Sequence, residues 1–182
     1  MTGKSDLRHR AFARRKAAHA AGEPGAADHL IEALRTHRGR VLAGYAPIRS
    51  EIDPMPAMAA MAAFGPVCLP VIAGAGRPLR FREWTPEAEM TAGPFGAAVP
   101  SRGAWLVPEV LIVPLVAFDR QGGRLGYGGG FYDRTLADLR RAGPATAIGF
   151  AYAAQEMPDL PQEPTDAPLD LIVTERGVIR PG

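Results

Sequence analysis

The sequence predicts an α/β fold: a mostly parallel central sheet flanked by helices, in one domain spanning residues 1–182. Three observations predict it. From residue 26 onward, short apolar runs alternate with stretches of helical spacing, the pattern of strand–helix–strand units. The strongest apolar run, VLIVPLVAFD at 110–119, reads as a central strand. The chain has 182 residues and is 47% hydrophobic, which suits a globular domain with a real core.

The elements follow in order. Residues 4–21 hold neither Gly nor Pro and are rich in Ala and Arg, so they form a helix that GEPG at 22–25 ends. Leu30, Ile31 and Leu34 recur at helical spacing and predict a second helix over 26–37. RVLAGYAP at 40–47 reads as the first core strand. Ser50 and Asp53 can both cap a helix on which Met55, Met58 and Met61 form a core-facing stripe. PVCLPVIAG, closed by Pro and Gly, is a buried strand, and LRFREW at 79–84 alternates as a half-buried strand does. Residues 85–108 lack periodicity and read as loop. Pro114 within 110–119 marks a strand end or a bulge. A helix at 132–142 with Leu136 and Leu139 on one face is followed by strands at 145–152 and 169–175.

Composition narrows the functional classes. Charged residues make up 22% and the formal net charge is +2, so bulk charge does not call for nucleic acid; the positive excess sits in residues 4–16. The single Cys68 rules out an internal disulfide and a multi-thiolate metal site, and reads as a buried strand residue. The absence of an apolar run of about 18 residues or a signal-type segment predicts a cytoplasmic protein without a membrane partner. His9, His19, His29 and His37 form no metal pattern and are expected on solvent-exposed helix surface.

The chemistry-bearing stretch is RLGYGGGFYDR at 124–134, between a predicted strand and a predicted helix. Ligands of open α/β sheets bind at the carboxyl ends of strands, and helix N-termini present free N–H groups to anions. Gly128, Gly129 and Gly130 have no Cβ, so their N–H groups can approach a phosphate; Arg124 adds a donor fork. Asp133 can cap the helix or hold a cation. The spacing is neither that of a P-loop nor that of a dinucleotide loop, so a tight turn and a ligand loop both stay open.

VPLVAFDRQGGRLGYGGGFYDR at 113–134 resembles the signature of the 5-formyltetrahydrofolate cyclo-ligase family, with Phe131 where that family typically has the first Tyr of a pair. KSDLR at 4–8, YAPIRSEID at 45–53 and EPTDAPLDLIVTE at 163–175 resemble further family segments in the same order. The resemblance thus extends from residue 4 to 175. The chain departs from the pattern at Val99-Pro100, where the family often has Glu-Pro.

The resemblance implies a NagB/RpiA/CoA-transferase-like arrangement and an ATP- and Mg²⁺-dependent ligase closing 5-formyltetrahydrofolate to 5,10-methenyltetrahydrofolate. It implies ATP contacts from Lys4, Arg8 and residues 124–132: Arg124, Leu125, Gly126, Tyr127, Gly128, Gly129, Gly130, Phe131 and Tyr132. Arg124 and Tyr132 are the catalytic candidates. Ala46, Glu51, Tyr127, residues 128–130 and Phe131 are the folate candidates, and Asp133 and Asp166 the metal candidates. Helical geometry adds Arg15 to the face of Lys4 and Arg8, which could reach the phosphates. Asp119 is expected to shape a turn, and Asp170 stands near enough to Asp166 to be confused with it. The expected partners are ATP and the folate, with no nucleic acid, and the protein is expected to be a monomer. The rival readings are an ATP-binding relative acting on another substrate, and a non-catalytic folate- or RNA-associated module.

Overall fold

The computed structural model describes residues 3–182. Helix α1 (Lys4–Ala21) ends at Gly22 in the left-handed conformation, and α2 (Ala26–Leu34) runs on into a 3₁₀ turn (Arg35–His37). Strand β1 (Leu42–Ala43) leads through a loop to α3 (Met55–Met61), whose first turn is capped by Asp53, its Oδ1 accepting from the Met55 N–H at 2.8 Å. Next come β2 (Val67–Ile72) and β3 (Leu79–Trp84), a small ladder of β4 (Met90–Ala92) with β5 (Ala98–Pro100), and β6 (Trp105–Leu106). Strand β7 (Val110–Val113) stops at Pro114, which has no N–H to continue a ladder. The chain then makes a hairpin, β8 (Ala117–Phe118) with β9 (Arg124–Leu125), before α4 (Phe131–Ala142). Strands β10 (Thr146–Phe150), β11 (Leu171–Thr174) and β12 (Gly177–Ile179) complete the described chain.

Eight strands form the main sheet in the order β12-β11-β10-β7-β1-β2-β3-β6. The five from β11 to β2 are mutually parallel; β12, β3 and β6 join antiparallel at the edges. Period-2 alternation divides the central residues between two cores. Leu42, Val110, Ile112 and Ile148 face α2 and α3 with Leu30, Leu34, Met58 and Met61. Ala43, Leu111, Val113 and Ala147 face α4 with Leu136 and Leu139. The Met stripe is therefore core. Cys68 is fully buried, its thiol pushed up to about 12 by burial and secondarily by Glu83.

Four differences from the sequence reading have local causes. The strand read over 40–47 shrinks to Leu42–Ala43, because the chain turns away after Gly44, where a Cβ would collide with the Met58 Sδ. Residues 85–108 are not plain loop but hold β4, β5 and β6, two- or three-residue strands too short to show a period. β12 is an edge strand of three residues that the sequence pattern does not predict. His9 and His19 are exposed as expected, but His29 and His37 are half-buried; His29 Nδ1 meets the Thr174 carbonyl at 3.1 Å.

The order of strands also decides where a cleft can open. From β1 the chain proceeds outward to β2, β3 and β6; from β7 it proceeds the other way to β10, β11 and β12. The two runs diverge between β1 and β7, so the loops leaving those adjacent strands part there. This is the topological switch point at which open α/β sheets bind ligands.

Candidate functional site

A cleft of about 1230 Å³ opens at that switch point, lined from the carboxyl ends of β1, β2 and β7. The loop after β1 contributes Tyr45, Ala46 and Glu51; β2 contributes Pro70 and Ile72; the rim is closed by Ala97, Ala98 and Val99 of the β4–β5 ladder. The divergent Val99 thus sits on the cleft wall. The start of α1 brings in Lys4 and Arg8, and the segment before β11 brings in Glu163 and Asp166.

The glycine segment runs along the cleft into α4. Leu125 is buried; Gly126, Tyr127, Gly128, Gly129, Gly130, Phe131, Tyr132 and Asp133 all face the space. Gly128 and Gly130 have φ of 100° and 69°, the left-handed region that favours glycine, so two of the three glycines are required by backbone shape. Two guanidinium groups take loop carbonyls: Arg8 Nε donates to Gly126 O at 2.8 Å, and Arg134 Nη2 donates to Gly129 O at 2.7 Å. Sequence reasoning missed Arg134; the signal that could have found it is a cation one helical turn past Gly130, at the start of α4.

Cations and acids also meet along the cleft, at its open edge around Lys4 and buried around Arg124. Lys4 Nζ lies 3.1 Å from Glu163 and 3.5 Å from Asp166. Burial pulls its ammonium down, but the two acids outweigh that and hold it above the usual lysine range. Arg124 Nη1 lies 3.6 Å from Asp133 Oδ1, with the Arg124 side chain only 7% exposed. Burial holds the Arg124 guanidinium below its usual value, with Asp133 the main opposing influence. Asp133 Oδ1 also accepts from the Ala167 N–H at 2.9 Å, and Asp166 Oδ2 from the Glu163 N–H at 2.8 Å. The segment bearing Asp166 is thereby tied to the first turn of α4. Tyr132 stands beside this group, its ring 5.4 Å from the Arg124 guanidinium; its buried hydroxyl has no hydrogen-bond partner among the described residues.

At the other end, Glu51 is 5% exposed. Its Oε1 accepts from the Ile48 N–H at 2.8 Å and its Oε2 from the Tyr127 hydroxyl at 2.6 Å. Burial raises the Glu51 carboxyl above the usual range, against the pull of Tyr127, the Ile48 N–H and the charge of Arg15. Burial and Glu51 together push the Tyr127 hydroxyl up.

Lys4, Arg8, Ala46, Glu51, residues 124–133 and Asp166 are therefore gathered in one cleft. Arg15 is not: it is 1% exposed and bonds Ser50 and Tyr127. It shares the helix face of Lys4 and Arg8, but lies about 10 Å further along the axis than Arg8, which carries it past the phosphate end of the cleft. Asp119 lies outside the cleft and shapes the β8–β9 turn, accepting from the Gln121 and Gly123 N–H groups and from Leu160. Asp170 is separate from Asp166: its Oδ2 takes the Ala147 N–H and Arg140. Among the described residues no three His, Cys, Asp or Glu side chains cluster as a metal cage, and no helix is long and apolar enough to cross a membrane.

A switch-point cleft lined by a glycine loop and acid-paired cations places the chain among α/β proteins whose open sheets take ligands at that point. Residues 1–175 match the 5-formyltetrahydrofolate cyclo-ligase family, and the chain belongs to it. It is 32% identical to the 5-formyltetrahydrofolate cyclo-ligase of Mycolicibacterium smegmatis over 191 residues, 97% of this chain and 96% of that protein. Its match to the Haemophilus influenzae protein of that name is 40% identical over 101 residues, 52% of this chain. That match spans 54% of the Haemophilus protein, and a 50% identical match to the Escherichia coli K12 protein spans 36% of the latter. Among solved structures, the NMR structure of Aquifex aeolicus 5,10-methenyltetrahydrofolate synthetase superposes with a TM-score of 0.78 at 28% identity, over 97% of this chain and 92% of that one. A 5,10-methenyltetrahydrofolate synthetase from Mycoplasma pneumoniae shares the fold, with a TM-score of 0.72 at 23% identity over 96% of this chain and 99% of that one.

Proposed function

We propose that this chain closes 5-formyltetrahydrofolate to 5,10-methenyltetrahydrofolate at the expense of ATP, releasing ADP and phosphate. The observation that carries the reading is the meeting, in one cleft, of four sequence segments that carry the family resemblance. A formamide oxygen is a poor leaving group. In the proposed reaction it attacks the γ-phosphorus and ADP departs. The N10 amine then attacks the activated formyl carbon, loses its proton, and the C–O bond breaks to release phosphate.

The residues divide this work by position and charge. Lys4, Arg8 and Arg124, with the loop N–H groups from Gly126 to Gly130 and the start of α4, meet the phosphates; Leu125 packs beneath them. Arg124 offsets charge on the transferring phosphoryl group, and the unpartnered Tyr132 hydroxyl hydrogen-bonds the oxygen that accepts it. Glu51 accepts pterin N–H groups; each carboxylate oxygen already holds one donor and can take another. Ala46, Tyr127 and Phe131 wall the folate by apolar contact.

Asp133 and Asp166 suit Mg²⁺. Each has one oxygen outside the hydrogen bonds described above, and hard oxygen donors plus phosphates are how that ion is commonly held. When bound, Mg²⁺ neutralises phosphate charge. With the ion bound, Asp133 and Asp166 would be its ligands, and Lys4 and Arg124, now paired with them, would be free for the phosphates. Three of the six Lys and Arg residues at 4–16, namely Lys4, Arg8 and buried Arg15, are engaged within the protein, which weighs against an RNA-binding arm. A single-domain monomer acting in the cytoplasm remains the proposed state of the protein.

The test is to mix the purified protein with 5-formyltetrahydrofolate, ATP and Mg²⁺ and follow methenyl-folate absorbance. The absorbance rises only with all three present. Folded protein that yields no product overturns the proposal.

A further inference from the structure

Arg15 is a large, fully buried cation with no carboxylate in ion-pair reach among the described residues. Its Nε donates to Ser50 Oγ at 2.9 Å and its Nη1 to the Tyr127 hydroxyl at 2.5 Å. Its guanidinium carbon lies 5.1 Å from the Phe12 ring centroid and 5.6 Å from that of Tyr127. Burying such a charge without a direct counter-ion is unfavourable, and an apolar side chain of similar volume would generally serve stability as well. Core filling therefore does not account for it.

The two bonds share a destination. Ser50 immediately precedes Glu51, and the Tyr127 hydroxyl passes the chain on to Glu51 Oε2 at 2.6 Å. Arg15 thus grips the backbone segment that carries Glu51 and, through one hydroxyl, the carboxylate itself. Tyr127 is 41% exposed as a residue, yet its polar tip is turned inward between Arg15 and Glu51. Donor chains of this kind polarise one another in a low-dielectric setting.

We infer that Arg15 is a positioning residue for Glu51, fixing the orientation and negative charge of the acid that receives the pterin by way of Tyr127 and Ser50. It also ties the helix bearing Lys4 and Arg8 to the folate end of the cleft. The inference rests on the proposed role of Glu51. The groups facing Glu51 are Tyr127 with Arg15 behind it, Tyr45 on its own loop and Tyr132 from α4; Asp53 acts on Tyr45. Among the described residues, Arg15 is the one cation that pulls the Glu51 carboxyl down. Without it Glu51 ionises only at higher pH, and folate binding loses its acceptor as pH falls from a higher starting point.

Three variants decide the matter: Arg15→Met, Arg15→Lys and Tyr127→Phe. Two readouts apply to each: calorimetric affinity for 5-formyltetrahydrofolate, and titration of the Glu51 side-chain carboxyl by ¹³C NMR, with Glu51→Gln assigning the signal. Arg15→Met weakens folate binding about tenfold, the loss expected of a charge-assisted hydrogen bond, and moves the Glu51 titration to higher pH. Its melting temperature stays level or rises. Arg15→Lys keeps the charge but not the fork and falls between. Tyr127→Phe removes Glu51's own hydrogen bond and so gives the largest shift the relay can lose; Arg15→Lys carries the test should Arg15→Met not fold. A Glu51 titration unmoved in Arg15→Met, or in Arg15→Lys where that is the variant that folds, overturns the inference. Wild-type protein that binds no folate overturns the proposed function instead, and the titration still decides the role of Arg15.

Discussion

Replacing Asp133 by asparagine separates a metal ligand from a purely structural acid. Among the described residues no side chain caps α4, so the helix-cap role expected of Asp133 is replaced by its bond to the Ala167 N–H. Asparagine retains an Oδ1 that can accept the Ala167 N–H, now at 2.9 Å, so the tie between α4 and the segment before β11 survives. What is lost is one negative charge. A unit charge about 4 Å from a cation is worth about 4 kcal/mol at an effective dielectric of ~20. The Asp133 side chain is 22% exposed, and water trims that to about 1.5–3 kcal/mol. The Mg²⁺ concentration giving half-maximal turnover should therefore rise about tenfold to a hundredfold. Arg124, relieved of its partner, turns more fully to phosphate, so the KM for ATP changes by no more than about threefold. The KM for folate stays within about twofold, because Glu51 and its partners lie at the other end of the cleft. Arg124 is left with the Pro114 carbonyl at 3.3 Å and the Tyr132 ring, and stability falls by about 1–3 kcal/mol. The assay is methenyl-folate formation across a Mg²⁺ series at saturating ATP, beside a thermal melt. An unchanged Mg²⁺ dependence, or equal losses in Mg²⁺ and folate, would refute the reasoning and leave Asp133 a structural tie to Ala167.

Three further outcomes follow from particular contacts. Glu51→Gln raises the KM for folate about tenfold or more with little change for ATP. It also flattens the acid limb of folate affinity, which in the wild type begins above the ordinary carboxylate range because burial holds Glu51 up; a limb that persists assigns it to another group. Leu136→Ala, at a 0% exposed position between α4 and the sheet, lowers the urea midpoint by the equivalent of about 2–5 kcal/mol with an unchanged m-value. A midpoint that stays put would mean that α4 is not held by that core. Cys68, its thiol pushed up to about 12, stays protonated and silent to a thiol reagent at pH 8 until the protein is unfolded; prompt reaction of the native protein contradicts its burial.

The sequence was legible where a physical signal extends over a full element. The helix Lys4–Ala21 has the expected bounds, and the break at Pro114 falls at the end of β7. The cleft was legible because its residues sit in dense motifs, and Lys4, Arg8, Glu51, residues 124–133 and Asp166 all line it. What escaped was set by three-dimensional packing. β4, β5, β6 and β12 owe their existence to neighbours rather than to any pattern of their own. Arg15 shares a helix face with Lys4 and Arg8 by spacing, but the rise of about 10 Å along α1 from Arg8 takes it beyond the cleft cations into a buried position, which azimuth alone does not reveal. Arg134 was hidden for the opposite reason: a cation on the first turn of a helix reads as an ordinary solvated residue until the carbonyl it takes, that of Gly129, is seen.

Helix α1 is a stiff rod, and about 10 Å of it separates Arg8 from Arg15. One end touches the glycine segment through Gly126, the other reaches Glu51 through Tyr127. If nucleotide and folate each favour the same setting of that rod, thermodynamic reciprocity makes their cooperation symmetric. Whatever factor ATP adds to the affinity for folate, folate must return to the affinity for ATP. The two substrates would then fill the protein as a pair, and scarcity of either would leave both seats poorly occupied.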